Sequence, residues 1–209
     1  MKTKPQLFLS LLAIPLLCIA LRASAIPMTP ITNIVTNGGF ESGAFAPGWT
    51  QSGNTANTGV DSFNTHTGNF AAGFGNVGSL SFLDQTLTTI VGATYDLSFF
   101  LQSEESKGAL INGFGTQIFQ VFWNGVMVFD LGSSGPFGYT QFGASGLTVT
   151  GTSTVLEFRI QNDPAFFDLD DVTVTGNTAS SVPETLSTMW LGLTFVGMVG
   201  LFQLRRKRI

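Results

Sequence analysis

Apolar and polar residues alternate with a period of two through the middle of this chain. In Val155-Leu156-Glu157-Phe158-Arg159-Ile160, the apolar Leu156, Phe158 and Ile160 share one side of an extended backbone, and Glu157 and Arg159 share the other. Successive strand side chains point to opposite faces, so the segment predicts a half-buried strand. Runs rich in Val, Ile, Phe, Tyr and Thr, separated by Gly, Asn, Ser and Asp, occupy 31–36, 69–75, 79–87, 94–102, 117–123, 126–131, 146–150, 154–161 and 167–175. Two of them flank Asn124-Gly125, a pair that tolerates the positive φ a two-residue hairpin turn requires. In the last run Leu169 and Val172 are three apart, so either a bulge interrupts the strand at Asp170-Asp171 or one carboxylate faces the core. No helical period appears between residues 26 and 180. The expectation is an all-β fold, a jelly-roll β-sandwich.

At both ends the alternation gives way to unbroken apolar runs. Lys2 and Lys4, an apolar stretch from Leu7 to Leu21, and Ala23-Ser24-Ala25 follow the order of a secretory signal peptide, predicted over 1–25. Residues 186–204 carry no charge and as a helix would reach about 28 Å, close to one hydrocarbon thickness. Arg205, Arg206, Lys207 and Arg208 follow, and a basic cluster beside a span stays cytoplasmic. The expected organisation is a signal peptide, a β-sandwich ectodomain at 26–180 and a C-terminal transmembrane helix, with the exported ectodomain membrane-anchored outside the cytoplasm.

Charge and reactive residues narrow the chemistry. Of the nine Lys and Arg only Lys107 and Arg159 lie between residues 26 and 180, whereas all but Glu184 of the thirteen acidic residues do. Such a surface repels phosphate backbones, which excludes nucleic acid as a partner, and attracts divalent cations. The one cysteine, Cys18, falls in the signal peptide, so the ectodomain has no thiol or disulfide. His66 is the only histidine and sits in the polar stretch Asn64 to Gly68, which leaves a single imidazole for any nucleophile. Glu104-Glu105 and Asp168, Asp170 and Asp171 are the carboxylates available to a glycan hydrolase, but neighbouring side chains diverge and no acid/base pair stands out. The chain is therefore expected not to be an enzyme. Sugar binding needs flat aromatic faces beside a few polar groups. Trp49, just after a Gly, reads as an inward anchor, and Tyr95 opens a strand. Trp123, beside the Asn124-Gly125 turn, and Tyr139, in the Gly-rich 132–146 stretch, are the candidate ligand-binding platforms.

Two family resemblances add to this. Val182-Pro183-Glu184-Thr185-Leu186-Ser187-Thr188, the apolar span and the basic tail resemble the PEP-CTERM class of sorting signals, which implies an exosortase-type processing protease as partner. Asn37-Gly38-Gly39-Phe40-Glu41 followed by Gly48-Trp49, then Thr94-Tyr95-Asp96-Leu97, Trp123-Asn124-Gly125 and Leu169-Asp170-Asp171-Val172 resemble the galactose-binding-like jelly rolls, a group with many carbohydrate-binding modules. That resemblance implies a structural calcium ion held by Glu41 and by Asp170 or Asp171; Asn69 or nearby backbone carbonyls would complete the shell. Calcium suits such a donor set, because it takes six to eight hard oxygens. The expected function is a non-catalytic surface or matrix protein that binds extracellular polysaccharide. A purely structural envelope protein is the alternative.

Overall fold

The computed structural model describes residues 28–104 and 115–179. They form β1 (Met28–Ile31), β2 (Thr50–Gly53), β3 (Thr58–Asp61), β4 (Ala71–Phe74), β5 (Ser81–Thr88), β6 (Thr94–Ser103), β7 (Gln117–Trp123), β8 (Val126–Asp130), β9 (Phe137–Thr148), β10 (Ser153–Asn162) and β11 (Phe167–Ala179). One sheet has the order β3-β4-β11-β6-β9, with β1 added along the far part of β11, and the other the order β2-β5-β10-β7-β8. β10 runs antiparallel to both β5 and β7, and its Leu156, Phe158 and Ile160 are fully buried. Between the sheets the rings interlock: Phe99 of β6 meets Phe119 of β7 and Phe158 of β10 at centroid distances of 5.6 Å, and Phe119 meets Phe167 of β11 at 5.5 Å. Each such ring contributes roughly 1.5–3 kcal/mol by leaving water. The all-β sandwich expected from the alternation is the fold observed.

The differences in detail lie at edges. Residues 32–36 are a loop, and the first strand precedes them. The Gly-rich 132–146 stretch, to which no strand was assigned before residue 146, supplies most of β9. β2 and β3 are short edge segments, the first mostly exposed and the second mostly half-buried, whose sequences, TQSG and TGVD, carry almost no apolar signal. At Asn124-Gly125 the turn is as expected, with φ of 50° and 80°.

The expected architecture is corrected in one respect. It included a transmembrane helix, yet among the described residues no helix is long and apolar enough to cross a membrane. The apolar content described goes into strands, where a period of two turns alternate side chains into the core and leaves no continuous apolar surface. The expected signal peptide at 1–25, the sorting motif Val182, Pro183 and Glu184, the span at 186–204 and the tail Arg205, Arg206, Lys207 and Arg208 lie outside the described residues. Membrane anchoring, the membrane as a partner, an exosortase partner and the anchored localisation are accordingly withdrawn.

Candidate functional site

The irregularity between Leu169 and Val172 is the hinge of the site. β11 pairs Asp170 with Phe100 and Thr173 with Ser98, so it carries an extra residue there, and Asp171 takes a φ of 50°. The bulge returns Val172 to the core and leaves Asp170 fully buried on the outer face. There Asp170 accepts hydrogen bonds from the backbone N–H of His66 (2.9 Å) and Thr67 (3.1 Å) through Oδ2, and from that of Asp171 (2.7 Å) through Oδ1. Burial pushes its carboxyl above the usual range, and the donated N–H groups act against that shift. Asp171 Oδ2 lies 2.7 Å from His66 Nδ1, and both its oxygens accept from the Thr67 hydroxyl. Glu41 reaches the same loop from the other side. Its carboxylate accepts from the backbone of Asn69 (2.9 Å) and Phe70 (3.0 Å) and from the Asn69 side chain (3.2 Å), which lowers its pKa.

Three acidic side chains thus grip the loop between Asn64 and Phe70, and they converge. A Cβ placed on Gly39 would stand 3.5 Å from Asp171 Oδ1, 3.7 Å from Asp170 Oδ1 and 3.8 Å from Glu41 Cγ. Two of these neighbours are carboxylate oxygens, the kind calcium takes, whereas Glu41 presents its Cγ there and its carboxylate lies against Gly68. Asn69 is bonded to Glu41 instead of standing apart as a fourth donor. Among the described residues no group of three or more His, Cys, Asp or Glu is arranged to hold a metal ion.

The loop lies across the outer face of the six-stranded sheet. His66 stacks on Phe100 at 3.7 Å, and its ring is 5.2 Å from that of Tyr139, whose hydroxyl donates to the Asn64 carbonyl at 2.8 Å. Beside the loop runs a strip made by pairing Gly59 with Gly73, Gly73 with Asp168, and Asp168 with Gln102, in which Gly73 and Asp168 are buried and Gly59 and Gln102 half-buried. Asp168 is only 6% exposed and accepts from the Gln102 side chain at 3.5 Å and from the Asn64 side chain. Burial pushes its carboxyl up to about 7, with Glu104 and Asp61 adding to the shift and the Asn64 side chain opposing it. Asn64 also donates to Glu104. Two shallow clefts flank Tyr139 along β6 and β9, one of about 280 Å³ holding Gln102 and Glu104 and one of about 410 Å³ holding Ser98 and Gln141. Phe166 and Phe63 stand at 39% and 89% exposure, the latter at the loop's start.

The two expected aromatic platforms separate. Tyr139 is half-buried on this outer face, where burial and then the charges of Asp168, Asp170, Asp171 and Asp61 push its hydroxyl pKa upward. Trp123 is 4% exposed, packs 5.8 Å from Tyr95 and donates Nε1–H to the Thr148 carbonyl, so its faces are spent in the core. Trp49 is likewise inward, stacked on Phe40. Asp61, Asn64 and Phe166 went unnoticed in the sequence; strand pairing brings Asp61 near Asp168, and the loops after β3 and before β11 bring Asn64 and Phe166 there. His66 bonds to Asp171, and no hydroxyl nucleophile bonds to its ring among the described residues.

No family model matches the chain, and no curated protein matches it. Solved structures share its fold. TmCBM61, solved in complex with β-1,4-galactotriose, is 20% identical with a TM-score of 0.54, covering 68% of this chain and 97% of its own. The K3 cleaved adhesin domain of Lys-gingipain from Porphyromonas gingivalis w83 is 14% identical with a TM-score of 0.51, covering 71% and 99%. The domain is an all-β jelly roll, a fold it shares with both of these structures.

Proposed function

We propose that the domain is a non-catalytic glycan-binding module that takes a polysaccharide on the outer face of its six-stranded sheet. The observation that carries this reading is the strip on that face where the half-buried Gln102 and the buried Asp168 lie between the half-buried Tyr139 on one side and the exposed Phe166 on the other. Flat rings beside a few fixed polar groups are what sugar recognition requires. The complex of TmCBM61 with β-1,4-galactotriose makes β-linked hexose chains the first class to test. Pull-down of residues 26–180 on insoluble and bacterial polysaccharides should retain the domain on at least one. Tyr139→Ala and Phe166→Ala should each weaken retention about tenfold, the scale of losing one stacked ring. Retention on none, or variants that bind as the parent does, would favour a purely structural protein.

We propose a calcium ion bound at Asp170 and Asp171 beside Gly39, with Glu41 turning its carboxylate to it from the Asn64 to Phe70 loop, as the support of this face; it would tie that loop to β11. At a hundred times its dissociation constant such an ion adds about 2.7 kcal/mol. Chelation should therefore lower the melting temperature of the parent and leave that of Asp171→Ala unmoved. An unchanged parent would mean that the loop's own N–H groups are the carboxylates' whole complement.

A further inference from the structure

The dipeptide Asn-Gly occurs at 37–38, 112–113 and 124–125. The first and the last lie within the described residues, and the fold treats them in opposite ways, although both asparagines take the same left-handed backbone, with φ of 55° and 50°. Asn37 is half-buried, and its side-chain amide is engaged on both atoms. Nδ2 donates to Ser42 Oγ and to the Ala44 carbonyl, each at 2.9 Å, and Oδ1 accepts from the Ser42 N–H at 3.3 Å. The Asn37 carbonyl accepts from Trp49 Nε1 at 3.0 Å, and a Cβ placed on Gly38 would overlap the Val172 carbonyl oxygen of β11. This pair is pinned from every side.

Asn124, in the turn between β7 and β8, is held only by its backbone. Its N–H donates to the Val155 carbonyl at 2.8 Å, while its exposed side-chain amide makes no hydrogen bond among the described residues. Gly125 is exposed as well. Its N–H donates to no backbone carbonyl among the described residues, and a Cβ placed on it would meet nothing within 4 Å. The Asn124 side chain is therefore free to turn back on the main chain, and the residue after it has no side chain to obstruct the approach. In that arrangement the Gly125 nitrogen can reach the amide carbon.

We infer that Asn124 is a site of spontaneous modification, deamidating in the folded protein through a cyclic imide while Asn37 is protected. The Gly125 nitrogen gives its proton to solvent base and bonds to Asn124 Cγ; the Cγ–Nδ2 bond breaks, and ammonia leaves with a proton from water. Water then opens the ring. Cleavage between the Gly125 nitrogen and Cγ yields aspartate, and cleavage at the main-chain carbonyl yields isoaspartate, whose main chain runs through Cγ. Either product puts a carboxylate on the rim of a cleft of about 420 Å³ that Trp123, Val126, Val128 and Leu147 help to line. Isoaspartate also adds a backbone atom to a turn of two residues, which pulls Val126 out of its pairing with Trp123, because turn length fixes hairpin register. This chemistry is independent of what the domain binds.

The test is peptide mapping by mass spectrometry of the full chain after incubation at mildly alkaline pH, both folded and in urea. In urea the three Asn-Gly pairs should convert at similar rates, since only their sequence remains. In the folded chain Asn124 should convert at least about tenfold faster than Asn37, which must first give up its side-chain hydrogen bonds. Ser42→Ala, at an exposed position, should raise the Asn37 rate and leave that of Asn124 unchanged. The aged protein should melt below Asn124→Asp, which carries the same charge without the extra backbone atom. Asn37 converting as fast as Asn124 in the folded chain would overturn the inference. So would an Asn124 that converts in urea but not when folded, since the turn would then keep the amide away from the Gly125 nitrogen. An aged protein that melts as Asn124→Asp does would overturn the change of register.

Discussion

Asp84 sits on the outer face of β5 opposite Glu157 of β10, with Oδ1 buried and without a hydrogen-bond partner among the described residues. Burial pushes its carboxyl above the usual range, the Glu157 charge adds to the shift, and the Arg159 guanidinium opposes it. The consequence for stability has a definite sign. At a pH below the ordinary carboxylate range the group is protonated in folded and unfolded chains alike and contributes nothing. As pH rises, the unfolded chain releases its proton first, so stability falls until the folded-state value is passed and then levels off. Asp168 acts in the same direction, between its ordinary 3.8 and about 7. Asp84→Asn should therefore gain on the parent protein in urea denaturation as the pH is raised from about 4 to about 7. Parallel pH profiles for the two proteins would mean that the Asp84 charge is fully compensated by Arg159.

The strands differ in how plainly their sequences announce them, and β10 and β9 mark the extremes. β10 is central, with a core on one face and a charged surface on the other, so burial imposes strict alternation on Leu156 to Ile160 and makes it readable. β9 is an edge strand exposed along most of its length, so nothing forces apolar residues at every second position, and its glycines obscure the strand. They are there for contact. A Cβ on Gly143 would overlap the Leu97 carbonyl of β6, so the two backbones approach at a place only glycine allows. Gly143→Ala should cost about 1–3 kcal/mol, the range for overpacking. Chemical denaturation would show it, and a variant as stable as the parent would mean that β9 can shift away from β6. The bulge at Asp170-Asp171 was legible because Leu169 and Val172 break the period of two. The strip of Gly59, Gly73, Asp168 and Gln102 was not, because its members come from four strands whose register only the fold sets. Trp123 was misplaced for a related reason: the Asn124-Gly125 turn marks the end of β7 but does not say which face its last side chain takes.

At the scale of the whole molecule, β11 joins the candidate site to the ends of the described chain. It begins at Phe167 beside Ser103 and ends at Ala179, which pairs with Met28 of β1, so the first and last described residues are neighbours. From Asp168 to Ala179 the strand covers about 35 Å at about 3.3 Å per residue. The strip therefore lies at one end of the sandwich, and the chain enters and leaves at the other. A domain held by its termini would present this strip outward, with the loop from Asn64 to Phe70 beside it. Immobilising residues 26–180 on a sensor surface through a tag after residue 180 should leave glycan affinity equal to that of the free domain. Immobilising it through a cysteine placed at Gln102, on the strip itself, should abolish binding, whereas a cysteine at Thr86, on the exposed outer side of β5, should not. Equal binding in all three orientations would show that sugar is taken somewhere other than the strip between Tyr139 and Phe166. Loss of binding only when the tag follows residue 180 would place the contact surface at the terminal end, among β1 and the last residues of β11.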